Sequence, residues 1–260
     1  METDDRLHVK MPPLEVDPAL DVCPACQGTG VLVEVEDGES RARPCPCREK
    51  AVAARRLAGM GLPPRYRGCT LANFQLVGGL TDDSVGRAKR IAENFVANYP
   101  AVDGGLLFMG PCGVGKTHLA AGMVNELGAA KGAASRFCDF ADLLAQIKQG
   151  YAGNAFDEYA HLQPLLRTEI LLLDDLGSMK IRDWTLDILS YVVNQRYVSG
   201  RLILATTNFL DEPAGTEESL ADRIGPRLRS RLQEMCKTVN IAGRDFRKEQ
   251  RQTGILRNVV

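Results

Sequence analysis

Residues 110–117 read Gly-Pro-Cys-Gly-Val-Gly-Lys-Thr and lie between an apolar run and a helical pattern. This satisfies G-x-x-x-x-G-K-[ST] in the context that gives the motif its meaning. Gly110, Gly113 and Gly115 let the backbone curl with its N–H groups pointing inward. Pro111, Cys112 and Val114 supply the main chain between them, and His118 continues the first helical turn. Inward amides and the positive end of a helix bind polyphosphate oxygens. Lys116 adds a point charge for the β and γ phosphates, and Thr117 a hydroxyl for Mg²⁺. A glycine-rich turn with a chance Lys-Thr would fit the residues but not their setting. The motif indicates nucleotide binding and is silent on what the nucleotide drives.

A second group is Leu171-Leu-Leu-Asp174-Asp175-Leu-Gly177. Two adjacent carboxylates ending an apolar run are costly unless something compensates them. A divalent cation does so. In nucleotide hydrolases with this loop, the acid at such a strand end holds the Mg²⁺. Asp174 is expected in that role, on a strand lying beside the phosphate-loop strand. Asp175 is expected to orient or deprotonate the attacking water, although Asp reaches less far than Glu by one methylene. An acidic turn after a strand is the bland alternative.

The third group is Cys23-Pro-Ala-Cys26 and, eighteen residues on, Cys45-Pro-Cys47. Four thiolates suit tetrahedral Zn²⁺ with no position left open, so the expectation is a structural zinc. An iron–sulfur cluster uses the same ligands. About 30 residues cannot bury enough core to stand alone, so metal is the expected main stabiliser. The other four cysteines are scattered, which argues against a disulfide framework.

The elements that must position these groups follow from pattern. The 260 residues, 45% apolar and 25% charged, allow one sizeable core plus a small module. A net charge of −1 means that any nucleic-acid surface is a local patch. No apolar run approaches the ~20 residues needed to cross a bilayer. The acidic, Pro-containing start lacks the apolar core of a signal peptide. No membrane association and a cytoplasmic location are therefore expected. Residues 1–20 suggest a flexible tail, 21–50 the four-cysteine module, 51–64 a helical linker and 65–260 the main domain. Val31, Val33 and Val35 alternate before Asp-Gly-Glu-Ser, a hairpin signal. Residues 48–61 suggest a helix stopped by Gly61 and Pro63-Pro64. Another helix, over 81–99, has Thr81 as a plausible N-cap. Apolar strands are expected at 104–110, 134–140, 170–177, 201–208 and 237–243, with helices between them. Such solidly apolar strands alternating with helices mean an α/β fold whose parallel sheet is covered on both faces.

Together, GPCGVGKTHLA, ILLLDDLG, the strand ending Ala-Thr-Thr-Asn208 and the later RLRSRL resemble the AAA+ ATPases of the DnaC/DnaI helicase-loader and IstB transposition-helper family, over about residues 62–250. The resemblance implies ATP as the nucleotide and a five-stranded parallel sheet with a reduced lid. It implies that Asn208 is the sensor-1 residue bonding the γ phosphate or the lytic water. Arg231 resembles the arginine finger that reaches a neighbouring subunit's ATP, which requires self-association; Arg227 is the second choice. Arg247 resembles the sensor-2 arginine, with Arg244 close enough to compete. Relatives also bind single-stranded DNA around 140–165, where Lys148, Tyr151, Phe156 and Tyr159 offer stacking and phosphate contacts. The implied partner is a replicative helicase or, for a transposition helper, a transposase. The four-cysteine module departs from the pattern of the family's loaders, so it does not by itself identify that partner. A small-molecule kinase and a non-hydrolysing scaffold share the phosphate loop and remain the readings from other classes.

Overall fold

The computed structural model describes residues 23–36, 39–75, 84–151, 158–179 and 183–247. The chain divides into two compact units, residues 1–52 and 53–260. In the first, strands β1 (Val31–Glu36) and β2 (Glu39–Pro44) pair antiparallel, with Val31 opposite Pro44 and Val33 opposite Ala42. Helix α1 (Pro46–Gly59) follows, and the boundary between the units falls within it. The expected tail, the turn residues Asp37 and Gly38, and Thr81 lie outside the described residues.

The second unit runs α2 (Pro64–Arg67), α3 (Ser84–Asn98), β3 (Gly105–Met109), α4 (Lys116–Glu126) with a π-helical continuation (Leu127–Lys131), β4 (Ser135–Asp139), α5 (Phe140–Tyr151), α6 (Glu158–Arg167), β5 (Ile170–Asp174), α7 (Asp183–Val198), β6 (Leu202–Thr207), α8 (Leu220–Ile224), α9 (Pro226–Met235) and β7 (Cys236–Asn240). The strands form a five-stranded sheet in the order β4-β5-β6-β3-β7, every pairing parallel. Side chains alternate between two cores, as a period of two requires. Leu106, Phe108, Ile170, Leu172 and Leu204 face one core, which includes residues of α3 and α4. Leu107, Met109, Leu171, Leu173 and Ile203 face the other, which includes residues of α6, α7 and α9. The expected α/β fold, with helices on both faces of the sheet, is what forms. Among the described residues no helix is long and apolar enough to cross a membrane.

One expectation is corrected. The strand ending in Asp174 does not lie beside the phosphate-loop strand, because β6 sits between β5 and β3. The acid still reaches the loop because α4 starts at the end of β3 and packs across both β6 and β5. Arg223 falls on α8, apart from Arg227 and Arg231 on α9: Gly225 takes φ 84° and Pro226 starts the second helix, as a proline at the first helical position favours.

Candidate nucleotide site

The phosphate loop connects β3 to α4. Gly113 and Gly115 have φ of 83° and 94°, where glycine alone is unstrained. Space demands glycine there too. A Cβ on Gly113 would come within 1.9 Å of the Asp245 carboxylate, and one on Gly115 within 2.5 Å of the Phe74 ring. The loop is thus held between the 245–247 segment, whose Phe246 N–H donates to Gly113 O (3.1 Å), and the 70–74 segment.

Lys116 is buried at the head of α4, its ammonium donating to Gly110 O (2.8 Å), Pro111 O (2.7 Å) and Asn208 Oδ1 (2.7 Å). Burial pulls its pKa down to about 8, against the opposing pull of Cys112, Asp175 and Asp174. Asn208 in turn donates from Nδ2 to Asp175 Oδ1 at 2.7 Å. An ammonium, an amide and a carboxylate therefore form one hydrogen-bonded chain across the ends of β3, β6 and β5. Asp175 reaches it through a left-handed backbone, φ 55°, which Asp tolerates better than most residues. Its N–H donates to Thr206 Oγ1 (3.0 Å), and the next N–H, of Leu176, to Thr206 O (2.8 Å).

Asp174 is buried and differently engaged. Thr117 Oγ1 (2.9 Å) and Thr206 Oγ1 (2.6 Å) both donate to its Oδ1. Burial raises its pKa, while the two hydroxyls favour the charged form. Thr117 and Asp174 set a hydroxyl and a carboxylate side by side in the cleft, an all-oxygen pair of the kind Mg²⁺ accepts alongside water and phosphate. The adjacent acids thus have separate partners, one with two hydroxyls and one with an amide.

A cleft of about 870 Å³ opens over these groups. Its far wall is the 65–75 segment, clamped to α4 where Asn125 Nδ2 donates to the carbonyls of Tyr66, Arg67 and Cys69 and Glu126 accepts from Leu71 N–H (2.7 Å). His118 lies on this wall. Its Nε2 is 2.9 Å from Asn73 Oδ1 and its ring sits edge-on to Phe74, with burial lowering its pKa. Arg244 and Arg247 line the opposite side. The structure therefore brings together the loop residues, Asp174, Asp175, Asn208, Arg244 and Arg247. It adds Thr206 and Tyr66, which the sequence reading missed. Thr206 stood in plain sight one residue inside Ala-Thr-Thr-Asn, whereas Tyr66 carried no motif.

The α9 arginines are not among the cleft-lining residues. Arg231 stacks over Tyr197, 4.0 Å from the ring centroid, and pairs with Glu234 (3.4 Å). Arg227 is exposed, with no hydrogen bond or ion pair among the described residues. Arg223 fixes the turn after the acids, donating to Gly177 O (2.8 Å) and Ser178 O (3.1 Å). Arg229, passed over in the sequence, is buried in a two-bond pair with Asp211. Phe156 and the side chains of Lys148, Tyr151 and Tyr159 lie outside the described residues.

In the first unit the four cysteines converge. Their Sγ atoms all lie within 4.8 Å of one another, with Cys23–Cys45 at 3.9 Å and Cys26–Cys47 at 3.3 Å. A tetrahedron of 2.3 Å Zn–S bonds has edges of about 3.8 Å, so the cluster fits the ion. Gly30 N–H points at Cys26 Sγ (3.3 Å), the kind of contact that steadies a thiolate, and Gln27 and Gly28 turn the chain at positive φ.

Comparison with known proteins bears on the fold and the family. YqaM of Bacillus subtilis, an uncharacterised protein, is 24% identical over 200 residues, 72% of this chain; the match spans 61% of YqaM. The replicative helicase loader DnaC of Escherichia coli is 24% identical over 225 residues, 86% of this chain and 85% of DnaC. A crystal structure of the DnaC helicase loader superposes with a TM-score of 0.59 at 30% identity, covering 69% of this chain and 99% of that one. The model of the IstB-like ATP binding proteins matches residues 84–254. The chain belongs to this DnaC/IstB-like family of AAA+ ATPases.

Proposed function

We propose that this chain binds ATP with Mg²⁺, hydrolyses it, and uses the cycle to act as a loader on a replicative helicase and single-stranded DNA. The observation that carries the reading is the pair of separated acids: Asp174 beside Thr117, and Asp175 linked through Asn208 to Lys116. One acid is set to hold a cation and the other faces the polar chain at the phosphate end. The bound cation supplies neutralisation of phosphate charge. The chain's own groups do the rest. Loop amides and Lys116 cradle the phosphates, Asp175 orients the water and takes its proton, and Asn208 holds Asp175 and the water in register. Arg247 contacts the same subunit's nucleotide, with Arg244 as its rival.

Arg231 acts in trans on a neighbour's nucleotide. It must first leave Tyr197 and Glu234, whereas Arg227 has no such contacts to break; this keeps both arginines as candidates. Single-stranded DNA binding is assigned to residues 140–165. The four cysteines hold a structural zinc in a module over residues 21–50, joined by a linker over 51–64 to the ATPase domain, in a cytoplasmic protein. The likeness to DnaC over most of the chain supports the helicase as partner. The match to the IstB-like model supports a second reading, a transposase helper. Recovery from the native host, with Lys116→Ala as control, distinguishes them: a hexameric helicase supports the first and a transposase the second. Turnover of ATP without an acceptor, lost in Asp175→Asn while binding persists, supports hydrolysis. Absence of turnover in the parent protein, even with DNA and partner, favours a scaffold.

A further inference from the structure

Residues 53–75 and 127–138 contain six cations, Arg55, Arg56, Arg65, Arg67, Lys131 and Arg136, and no Asp or Glu, in a chain whose net charge is −1. The fold brings these two segments together along the outer edge of β4. Arg56, in the last turn of α1, lies against Gly132, where an added Cβ would stand 2.7 Å from its Nη1. That sets Arg56 beside Lys131. Arg136 on β4 donates from Nη1 to Gly59 O (3.3 Å), and Phe137 N–H donates to Met60 O (2.7 Å). Residues 59–61 thus run along the open side of the strand. Further on, Tyr66 packs its ring 6.2 Å from Phe137, Arg65 stacks over Tyr66, and Arg67 donates to Leu62 O. All but Arg136, which is half-buried, are exposed. No ion pair with a carboxylate forms at Arg56, Arg67, Lys131 or Arg136 among the described residues.

We infer that this edge binds the phosphate backbone of nucleic acid, independently of sequence. The cations are strung out from the end of the helical segment before β4 to Arg65, which lines the nucleotide cleft, rather than gathered around a pocket. A linear polyanion matches that arrangement. Five of the six are Arg, whose planar fork pairs two-to-two with phosphate oxygens. Six cations outnumber the two flanking acids, Glu126, which accepts from Leu71 N–H, and Asp139 at the end of β4, so the strip is net positive and gives local attraction on a near-neutral protein without a global field. The surface shares no residue with 140–165 and does not rest on the reading of Asp175 or the arginine finger.

The test uses the full, zinc-replete chain and labelled oligonucleotides, single- and double-stranded, with anisotropy read between 50 and 200 mM salt. Each phosphate contact contributes about 0.7 to the log–log salt slope on single strands and about 0.9 on duplex. Arg56→Gln, Lys131→Gln and Arg136→Gln together remove about 2 from the single-strand slope, so the fall in affinity over that salt range shrinks roughly 20-fold. The Arg56→Lys, Lys131→Arg, Arg136→Lys variant keeps the slope. Lys131→Gln alone, at the exposed end of the helical segment before β4, lowers it by about 0.7 with ATP affinity unchanged. Slopes unaltered on both strand types overturn the inference. So does polyglutamate binding that matches oligonucleotide binding and falls equally with the substitutions, because the surface would then suit an acidic protein.

Discussion

Raising pH above 8 should weaken ATP binding while stabilising the empty protein, and both effects trace to Lys116. Its ammonium is buried behind the loop, and burial brings its pKa from 10.5 down to about 8. Triphosphate recognises the charged form. Above pH 8 the free protein presents that form only fractionally, and the apparent dissociation constant rises by the reciprocal of the fraction. At pH 9.5 the charged fraction is about 3%, so the constant should be roughly 30-fold higher than at pH 7. Inside the complex the phosphates hold the proton on, so binding at pH 9 takes up a proton. Stability runs the other way. Between pH 8 and 10.5 the unfolded chain binds more protons than the folded one, so unfolding free energy rises with pH through that window as far as Lys116 determines it. A fluorescent ATP analogue titrated from pH 6.5 to 9.5, with urea denaturation of the empty protein over the same range, reads both effects. An affinity flat to pH 9.5 would refute the reasoning, since it would mean that the ammonium stays charged behind the loop.

Further outcomes follow from other parts of the molecule. Arg196 is fully buried and donates to the carbonyls of Leu165, Thr168, Glu169 and Leu202. Arg196→Met strands those groups and should cost ~3–5 kcal/mol, lowering the urea midpoint with the slope unchanged; a loss under ~1 kcal/mol would contradict the account. If the four cysteines hold zinc, Cys45→Ser should weaken zinc uptake, measured by metal titration, and leave ATP affinity in the second unit intact. Zinc affinity unchanged in that variant would show that Cys45 is not a ligand. Gly113→Ala meets both a positive φ and the Asp245 carboxylate. ATP affinity should fall at least tenfold, about 1.4 kcal/mol, with far-ultraviolet circular dichroism unchanged, whereas an unaltered affinity would mean that the 245–247 segment moves aside freely.

What the sequence made legible was local chemistry carried on strong periodicity. The loop from Gly110 to Thr117, the acids at the end of an apolar run and the two cysteine pairs each declare themselves within a few residues. The strands around them are apolar throughout because both faces are buried. What stayed hidden depends on contacts distant in sequence. Arg229 and Arg231 lie two positions apart on α9, yet one is buried against Asp211 and the other stacks on Tyr197. Helical spacing separates their directions but cannot supply those partners. Arg196 carries no signal of its own in the sequence, because its four acceptors are carbonyls from two strand entrances and a helix end.

Strand order was the other thing local pattern could not give, and the error it caused was instructive. Placing β5 next to β3 was wrong, yet the expected meeting of Asp174 with Thr117 occurs at 2.9 Å. The meeting does not depend on adjacency of strands. It depends on α4, which leaves the end of β3 and crosses the sheet, so that its first turn overhangs the ends of both β6 and β5. The intervening strand then becomes part of the site. Thr206 donates to Asp174 and accepts from the Asp175 N–H, joining the two acids through one hydroxyl. A strand between the loop and the acids is therefore what separates their roles: it supports the first carboxylate with Thr206 and restrains the second with Asn208, two residues further along the same chain.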